Sequence, residues 1–145
     1  MKREKRVWIS LILVFILMTA LSGCSGLPKT AKLTISIDPN PVPCSSEDGK
    51  WHYTMTISES NGVGVTLASV RFDSYDQEDQ LYHSQFLYEE DIIDWFESNY
   101  IPAFSMVQSG IVSSSSRKYA IVTVEGIDDN DNTIEATARI DHLPQ

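Results

Sequence analysis

Positive charge is scarce in this chain of 145 residues, in which 11 lysines and arginines stand against 20 aspartates and glutamates. Four of the basic side chains lie within the first six positions, so the remainder of the chain is more acidic still. Nucleic acids and anionic lipid surfaces are bound through clusters of lysine and arginine. The charge balance therefore argues against both partners, and it suits solubility, cation binding or a basic partner.

Long apolar runs are scarce too, and the clearest one extends from Val7 to Leu21, with Ser10 and Thr19 as its polar members. A helix that spans a bilayer needs about 20 apolar residues. A basic start, an apolar middle and small residues before a cut are the layout of a secretory signal. We therefore predict that residues 1–23 are a signal peptide that is removed; the alternative is an uncleaved membrane anchor.

The end of this run carries a second motif. Residues 21–24, LSGC, resemble the lipobox of bacterial lipoproteins. The resemblance implies that Cys24 carries acyl chains such as palmitate, becomes the first residue of the mature chain and anchors it to a membrane of the cell envelope. In a host with two membranes, Ser25 in place of aspartate favours the outer membrane, with the protein facing the periplasm or the exterior. Residues 24–31 then form a short tether, of which the last seven residues reach at most about 25 Å.

Once Cys24 is modified, Cys44 has no cysteine left to pair with in its own chain. It lies in a turn-rich segment, PNPVPCSSEDGK, with no basic residue nearer than Lys50. A reactive thiol needs an exposed, electropositive setting. We interpret Cys44 as a partly buried thiol, and a bond between chains is the alternative.

Catalytic motifs are missing from the sequence. Ser115 and Lys118 match Ser-x-x-Lys, but the S-D-N and K-T-G motifs of penicillin-binding enzymes do not accompany them, and no G-x-S-x-G elbow occurs. Asp91 and Asp94 share one helix face, which we expect to be solvated. We therefore predict a protein that is not an enzyme, with no catalytic residues and no cofactor.

Metal ligands are weakly indicated. The histidines lack the paired spacing of a zinc site: they are His52, His83 and His142. An EF-hand loop counted from Asp128 needs glycine at 133 and glutamate at 139, where the chain has Thr133 and Arg139. We interpret this acidic segment, and DSYDQED at 73–79, as solvated turns. The alternative is a weak Ca²⁺ site, with candidate ligands Asp128, Asp129 and Asp131.

Strand signals dominate the rest of the chain. Apolar and polar residues alternate with period two, as in Leu33, Ile35 and Ile37, which is typical of half-buried strands. Asn61-Gly62 and the segment GIDDNDN predict turns. The predicted strands are 32–38, 51–58, 65–72, 81–88, 103–108, 118–125 and 133–140.

One helix is predicted at about 90–98, in YEEDIIDWFESNYIP. Acidic residues favour its N-terminus, and Pro102 is expected to end it. Apolar side chains at helical spacing predict one buried face, with Trp95 in the core: Ile92, Ile93, Trp95 and Phe96. We expect this helix to cross between two sheets.

Seven short strands at this spacing predict an all-β, antiparallel β-sandwich. Three segments resemble the first, middle and last strands of immunoglobulin-like or fibronectin-III-like bacterial surface domains: LTISIDPNPVP, WHYTMTISESNGVGVTLASV and KYAIVTVEGIDDNDNTIEA. The resemblance implies one domain over 32–143, with a role in adhesion, assembly or spacing. The inter-sheet cysteine pair of antibody domains is absent. Tyr119 fits either a corner tyrosine or plain core, and Asp131 stands where such hairpins often have glycine.

Aromatic residues alternate along the fourth predicted strand at Tyr82, Phe86 and Tyr88. Such stripes often belong to the core, whereas an exposed stripe binds sugars or proteins by stacking. We take these three residues as the candidate contact surface. The predicted function is a non-enzymatic binding or structural module of an envelope-anchored lipoprotein that contacts a protein or glycan of the envelope. An accessory subunit of an envelope enzyme and a passive spacer at the membrane surface are the alternatives.

Overall fold

A computed structural model describes residues 29–114 and 117–144 of the chain. The predicted signal peptide, Cys24 and Ser115 lie outside these residues. The described part contains the following elements in chain order: β1 (Leu33–Asp38), β2 (Trp51–Glu59), β3 (Val65–Tyr75), β4 (Leu81–Leu87), α1 (Glu89–Phe96), β5 (Tyr100–Ile101), β6 (Met106–Ser113), β7 (Tyr119–Asp128) and β8 (Thr133–Asp141).

The strands form two antiparallel sheets, one in the order β1-β2-β6 and the other in the order β4-β3-β7-β8, with β5 paired to the start of β3. In immunoglobulin naming, these are strands A, B and E in one sheet and C′, C, F and G in the other. The predicted immunoglobulin-like antiparallel β-sandwich is therefore confirmed. The additional strand, β5, has only two residues, too few to show an alternating pattern in the sequence.

The core lies between the sheets and is built by period-two alternation. In β2, Trp51, Tyr53, Met55 and Ile57 point inward and are at most 5% exposed. Even-numbered residues of β7, and of β3 from Val70 onward, face them from the second sheet, among them Val70, Phe72, Ala120, Val122 and Val124. Full burial of such a side chain stabilises the folded state by about 1.5–3 kcal/mol, so this alternation holds the two sheets together.

The helix differs in detail from its prediction. It ends at Phe96, ahead of Pro102, because Glu97 adopts a left-handed φ of 64°. Ile92 and Phe96, one turn apart, are its buried residues, whereas Ile93 is 41% exposed. Trp95 is half-buried beside Phe72, with ring centroids 5.9 Å apart. A single helical stripe faces the sheets, and Ile93 falls outside it.

Several strand boundaries also differ. The sixth strand begins at Met106 rather than 103, because residues 102–105 form a turn in which the N–H of Ser105 donates to the carbonyl of Pro102 at 3.1 Å. β3 and β7 extend past their predicted ends because they are the two central strands of their sheet, and their pairing runs from Tyr75 opposite Tyr119 to Val65 opposite Asp128.

Both predicted turns are present, but one connects the two sheets and the other closes a hairpin. Gly62 has a φ of +82°, as expected after Asn61, but the turn leads from one sheet to the other rather than into a hairpin. Asp131 takes a φ of 62° in the β7–β8 hairpin, which aspartate tolerates better than most residues. The absence of glycine at this position is therefore compatible with the hairpin.

The sandwich has two distinct ends. The register places Leu33, Glu59 and Asp128 at one end, which we call the entry end because the described chain starts there. Trp51 and Tyr119 lie at the opposite end, the far end. The ten residues of β7 separate the two ends by roughly 30 Å.

Candidate functional site

Two members of the aromatic stripe, Tyr82 and Phe86, lie on the edge strand β4, and Tyr88 follows the strand at the start of α1. This strand pairs with β3 on one side and with no other strand of the described chain. Tyr82 and Phe86 are each 47% exposed and Tyr88 is 61% exposed, and the rings of Phe86 and Tyr88 stack with centroids 6.2 Å apart. The stripe therefore faces solvent rather than the core.

Charged residues border this stripe on the outer face of the sheet. Arg71 of β3 lies opposite Phe86, and Asp73 lies opposite Ser84. The Nε atom of Arg71 is 3.0 Å from the Oδ2 atom of Asp73, and the Oδ1 atom of Asp73 accepts a hydrogen bond of 2.6 Å from the Ser84 hydroxyl. These contacts fix the polar groups between the aromatic rings and leave the rings themselves accessible.

A second aromatic group continues this face toward the far end. Tyr75 and Tyr119 stack with their ring centroids 4.7 Å apart, and the guanidinium of Arg139 lies 3.7 Å above the Tyr119 ring. Arg139 also donates to Asp141 at 2.7 Å. Tyr119 is thus an outward-facing residue, neither a core residue nor a hydrogen-bonded corner.

Sequence reasoning overlooked Tyr75 and the two arginines, Arg71 and Arg139. The signal was present: odd-numbered residues of β3 and β7 share a face once the even-numbered ones are assigned to the core. Extending β3 to Tyr75 in the prediction would have brought this group beside the stripe.

The acidic hairpin is organised around Asp128. This carboxylate is buried and accepts the backbone N–H groups of Ala31, Asn130 and Asn132 at 2.9–3.0 Å, together with the side-chain amide of Asn132. Burial raises its pKa, but these donors outweigh burial and hold the pKa at about 2. Its oxygens are therefore engaged in closing the turn and fastening the start of the described chain.

The other calcium candidates are placed differently. Asp129 accepts a hydrogen bond of 3.1 Å from the Tyr100 hydroxyl, and Asp131 is exposed at the tip of the hairpin. Across residues 29–114 and 117–144, no group of three or more His, Cys, Asp or Glu side chains is arranged to hold a metal ion.

Glu59 is a buried carboxylate that sequence reasoning did not single out. It accepts backbone N–H groups from three separate segments, namely those of Lys32 at 3.2 Å, Asn61 and Gly62 at 2.6 and 2.9 Å, and Phe104 at 3.0 Å. Burial raises its pKa, and the four donors together lower it to about 2. Glu59 and Asp128 thus stabilise the entry end from the two sheets.

The second acidic segment is also occupied by local contacts. Asp76 accepts the backbone N–H groups of Glu78 and Gln80 at 3.0 and 2.9 Å, which closes the β3–β4 turn. Asp79 pairs with Lys118 at 2.8 Å. Asp76 thus closes a turn, and Asp79 forms an ion pair on the surface.

The remaining candidates are dispersed. His52 is exposed and lies 2.8 Å from Asp48, His83 is exposed on β4, and Cys44 is a half-buried free thiol. Asp91 and Asp94 are exposed on the helix, and the backbone N–H of Tyr88 donates to Asp91 at 3.3 Å. Within residues 29–114 and 117–144, no helix is long and apolar enough to cross a membrane.

Comparisons with known proteins give the following result. No family model and no curated protein matches the chain. Among solved structures, the chain is similar to the structural-genomics target SoR45 (16% identity, covering 82% of this chain and 91% of the other, TM-score 0.47). It is similar also to a Bordetella pertussis protein designated ApaA, with 15% identity over 81% of this chain and 98% of the other and a TM-score of 0.47. A further similar structure is the CARDB domain of the PF1109 protein from Pyrococcus furiosus, solved in complex with di-metal ions, with 13% identity over 79% of this chain and 90% of the other and a TM-score of 0.43. At these values the similarities carry no functional argument, and the fold rests on the strand order of the chain itself.

Proposed function

We propose that this chain is a lipid-anchored envelope protein whose β-sandwich binds a protein or glycan through the stripe Tyr82, Phe86 and Tyr88. The observation that carries the proposal is the exposure of three aromatic side chains, two on an unpartnered edge strand and one directly after it. Aromatic rings are enriched where proteins contact partners, because they offer large apolar area at low conformational cost.

The predicted position of the lipid anchor would leave the aromatic stripe accessible to a partner. Ala31 is held by Asp128 at the entry end, and only a few residues separate it from Cys24. Acylation at Cys24 therefore sets the entry end next to the membrane. The stripe begins at Tyr82, near the far end, and remains open to the envelope space.

The contact surface is tested by capture from envelope extract, with the full chain as bait. We expect the triple variant Tyr82→Ser, Phe86→Ser, Tyr88→Ser to lose the partner that the wild type retains, because single aromatic anchors often contribute 2 kcal/mol or more to binding, about a thirtyfold change in affinity. The matched control is Met106→Ser with Val112→Ser, which removes exposed apolar side chains from the edge of the other sheet. A partner retained by the triple variant and lost by the control would move the contact to β6. An empty capture by the wild type would favour the passive spacer.

The anchor is tested by metabolic labelling with an alkyne analogue of palmitate. We expect Cys24→Ala to abolish the label and to release the chain from the membrane fraction, whereas Cys44→Ala keeps both. Label on the Cys24→Ala chain would contradict the lipobox interpretation.

A further inference from the structure

The far end contains a cavity of about 280 Å³ between the two sheets. Its lining includes Trp51 from β2, Arg117 and Lys118 from the chain that enters β7, and His142 and Leu143 from the chain that leaves β8. It is separate from the aromatic stripe, and the function proposed above makes no use of it.

Arg117 reaches between the sheets without a carboxylate partner among the described residues. Its Nη1 donates to the hydroxyl of Ser74 at 2.7 Å, and its Nη2 donates to the hydroxyl of Ser113. Ser74 and Ser113 are only 1% and 4% exposed, and the Nε atom of Arg117 has no hydrogen-bond partner in the described chain. Burying a cation against neutral hydroxyls is costly, since a buried charge is stabilised chiefly by an opposite charge.

His142 is a second under-partnered group in the same cavity. It is 8% exposed, and within residues 29–114 and 117–144 neither of its ring nitrogens has a hydrogen-bond partner. Its ring meets those of Trp51 and Tyr53 edge to face, at centroid distances of 5.8 and 6.3 Å. Buried polar atoms are almost always hydrogen-bonded, so two unpartnered nitrogens on a residue that lines the cavity indicate a missing ligand.

The other charges around the cavity are already neutralised. Lys118 pairs with Asp79, and Asp141, next to His142, accepts from Arg139. The unneutralised charge is therefore that of Arg117. One planar guanidinium suits a single carboxylate, which it binds with two parallel hydrogen bonds.

Apart from Gln77, the rest of the lining is apolar. The indole of Trp51 is 2% exposed and is fixed by a hydrogen bond of 3.0 Å from its Nε1–H to the carbonyl of Leu143, and Pro144 follows at the rim. A cavity of this size with apolar walls accommodates a small apolar group beside the carboxylate.

We propose that the far-end cavity is a binding site for a carboxylate carried on an apolar group, with Arg117 holding the carboxylate, His142 donating a further hydrogen bond and Trp51 packing against the apolar part. Two sources share this chemistry, a small free acid and the C-terminal carboxylate of a peptide. The site lies at the end opposite Ala31, so the proposed anchor leaves it accessible.

The direct test uses the full chain in nanodiscs of phosphatidylcholine, observed by NMR at the Trp51 indole N–H and the His142 ring. The probes are N-acetyl-leucine, N-acetyl-leucinamide and inorganic phosphate. We expect saturable shifts with the acid and at least about tenfold weaker binding of the neutral amide, the effect of losing one charge-assisted contact. Equal binding of acid and amide, tighter binding of phosphate, or no saturable shift with the acid would overturn the proposal.

Two variants locate the contact. Arg117→Met is expected to weaken binding of N-acetyl-leucine at least about tenfold, whereas Lys32→Met, which removes an exposed cation at the entry end, leaves it unchanged. Unchanged binding by Arg117→Met would overturn the assignment. Should Arg117→Met fail to fold, the acid–amide comparison on the wild-type chain decides the question.

A third comparison distinguishes the two possible ligands, a small free acid and the C-terminal carboxylate of a peptide. A tripeptide ending in a free leucine is compared with N-acetyl-leucine. Binding at least about tenfold tighter would assign the site to a peptide C-terminus, and equal or weaker binding would assign it to a small acid.

The bound carboxylate is also expected to raise the pKa of His142, against the opposing charge of Arg117 and in the presence of Asp141, Lys118 and Tyr53. An unchanged His142 pKa on saturation would contradict a carboxylate beside that ring.

Discussion

The two ends of the sandwich bury polar groups in opposite ways. At the entry end, Glu59 and Asp128 each accept several N–H groups, and their carboxylates are satisfied by the chain itself. At the far end, Arg117 donates to only two hydroxyls, and the ring nitrogens of His142 have no hydrogen-bond partner within the described chain. The polar groups of the entry end thus serve folding, whereas those of the far end remain available to a ligand.

The difference has a physical basis in the donors that each end supplies. The turns around Glu59 and Asp128 present backbone N–H groups that would otherwise lack partners, so each carboxylate stabilises several segments at once. At the far end the cation must be stabilised by an anion, and the acidic residues nearby are engaged with Lys118 and Arg139. Proteins commonly give up stability in this manner at binding sites.

The substitution at the entry end that is expected to lower the free energy of unfolding most is Glu59→Ala. The change leaves four backbone N–H groups without their acceptor, and each buried unsatisfied donor costs about 1–3 kcal/mol before water enters. We expect the free energy of unfolding to fall by about 4 kcal/mol, measured by urea titration with tryptophan fluorescence. Glu135→Gln, at an exposed position of β8, is the matched control, and a loss of under about 1 kcal/mol for Glu59→Ala would contradict its proposed structural role.

The pH dependence of stability sharpens the comparison, because the far end should weaken first on acidification. Burial, together with the charge of Arg117 and against that of Asp141, lowers the pKa of His142 to about 4 from an ordinary 6.5. Between these values the unfolded chain binds more protons than the folded chain, so stability is full above about pH 6.5 and falls as the pH drops through 4, by up to about 3 kcal/mol.

Urea titrations between pH 7 and 4 test this expectation. The variant His142→Phe should flatten the slope in that range. The carboxylates Glu59 and Asp128 have lowered pKa values of about 2, so their contribution is present above their ordinary values near 4 and is lost only as the pH falls toward 2. A slope that persists unchanged in His142→Phe would assign the acid sensitivity to other groups.

The smallest expected change in stability comes from Arg117→Met, although this variant is expected to lose ligand binding. Removing the unpaired guanidinium gives up its contacts with Ser74 and Ser113 but also removes the cost of burying a charge. We expect the free energy of unfolding to change by less than about 1 kcal/mol in either direction. A loss as large as that of Glu59→Ala would show that Arg117 is primarily a structural residue.

The sequence was informative about the fold because strand periodicity is local. The alternation of Trp51, Tyr53, Met55 and Ile57 predicted a strand and its buried face, and both are confirmed. Element ends were less predictable: the helix stops at a left-handed Glu97, and residues 102–105 delay β6. Both features depend on backbone conformation that residue types alone do not specify.

The candidate sites show where sequence reasoning stops. The alternation of Tyr82, Phe86 and Tyr88 was visible, but their exposure depends on β4 being an edge strand, which follows from sheet order. Arg117 and His142 are 25 residues apart and are brought together only because β7 and β8 form a hairpin that returns His142 to the far end. The sequence pattern presents His142 as an isolated residue, and only its tertiary surroundings identify it as a candidate ligand-binding residue.

The attachment of Ala31 and Lys32 at the entry end also determines how the domain bears mechanical load. A pull between the membrane and a partner near the far end would first strain the bonds from Ala31 to Asp128 and from Lys32 to Glu59. The force would then run along β1, perpendicular to the six residue pairs that join it to β2, so these pairs would be sheared together rather than opened one after another. The same two carboxylates that close the entry end would make this short tether resistant to tension.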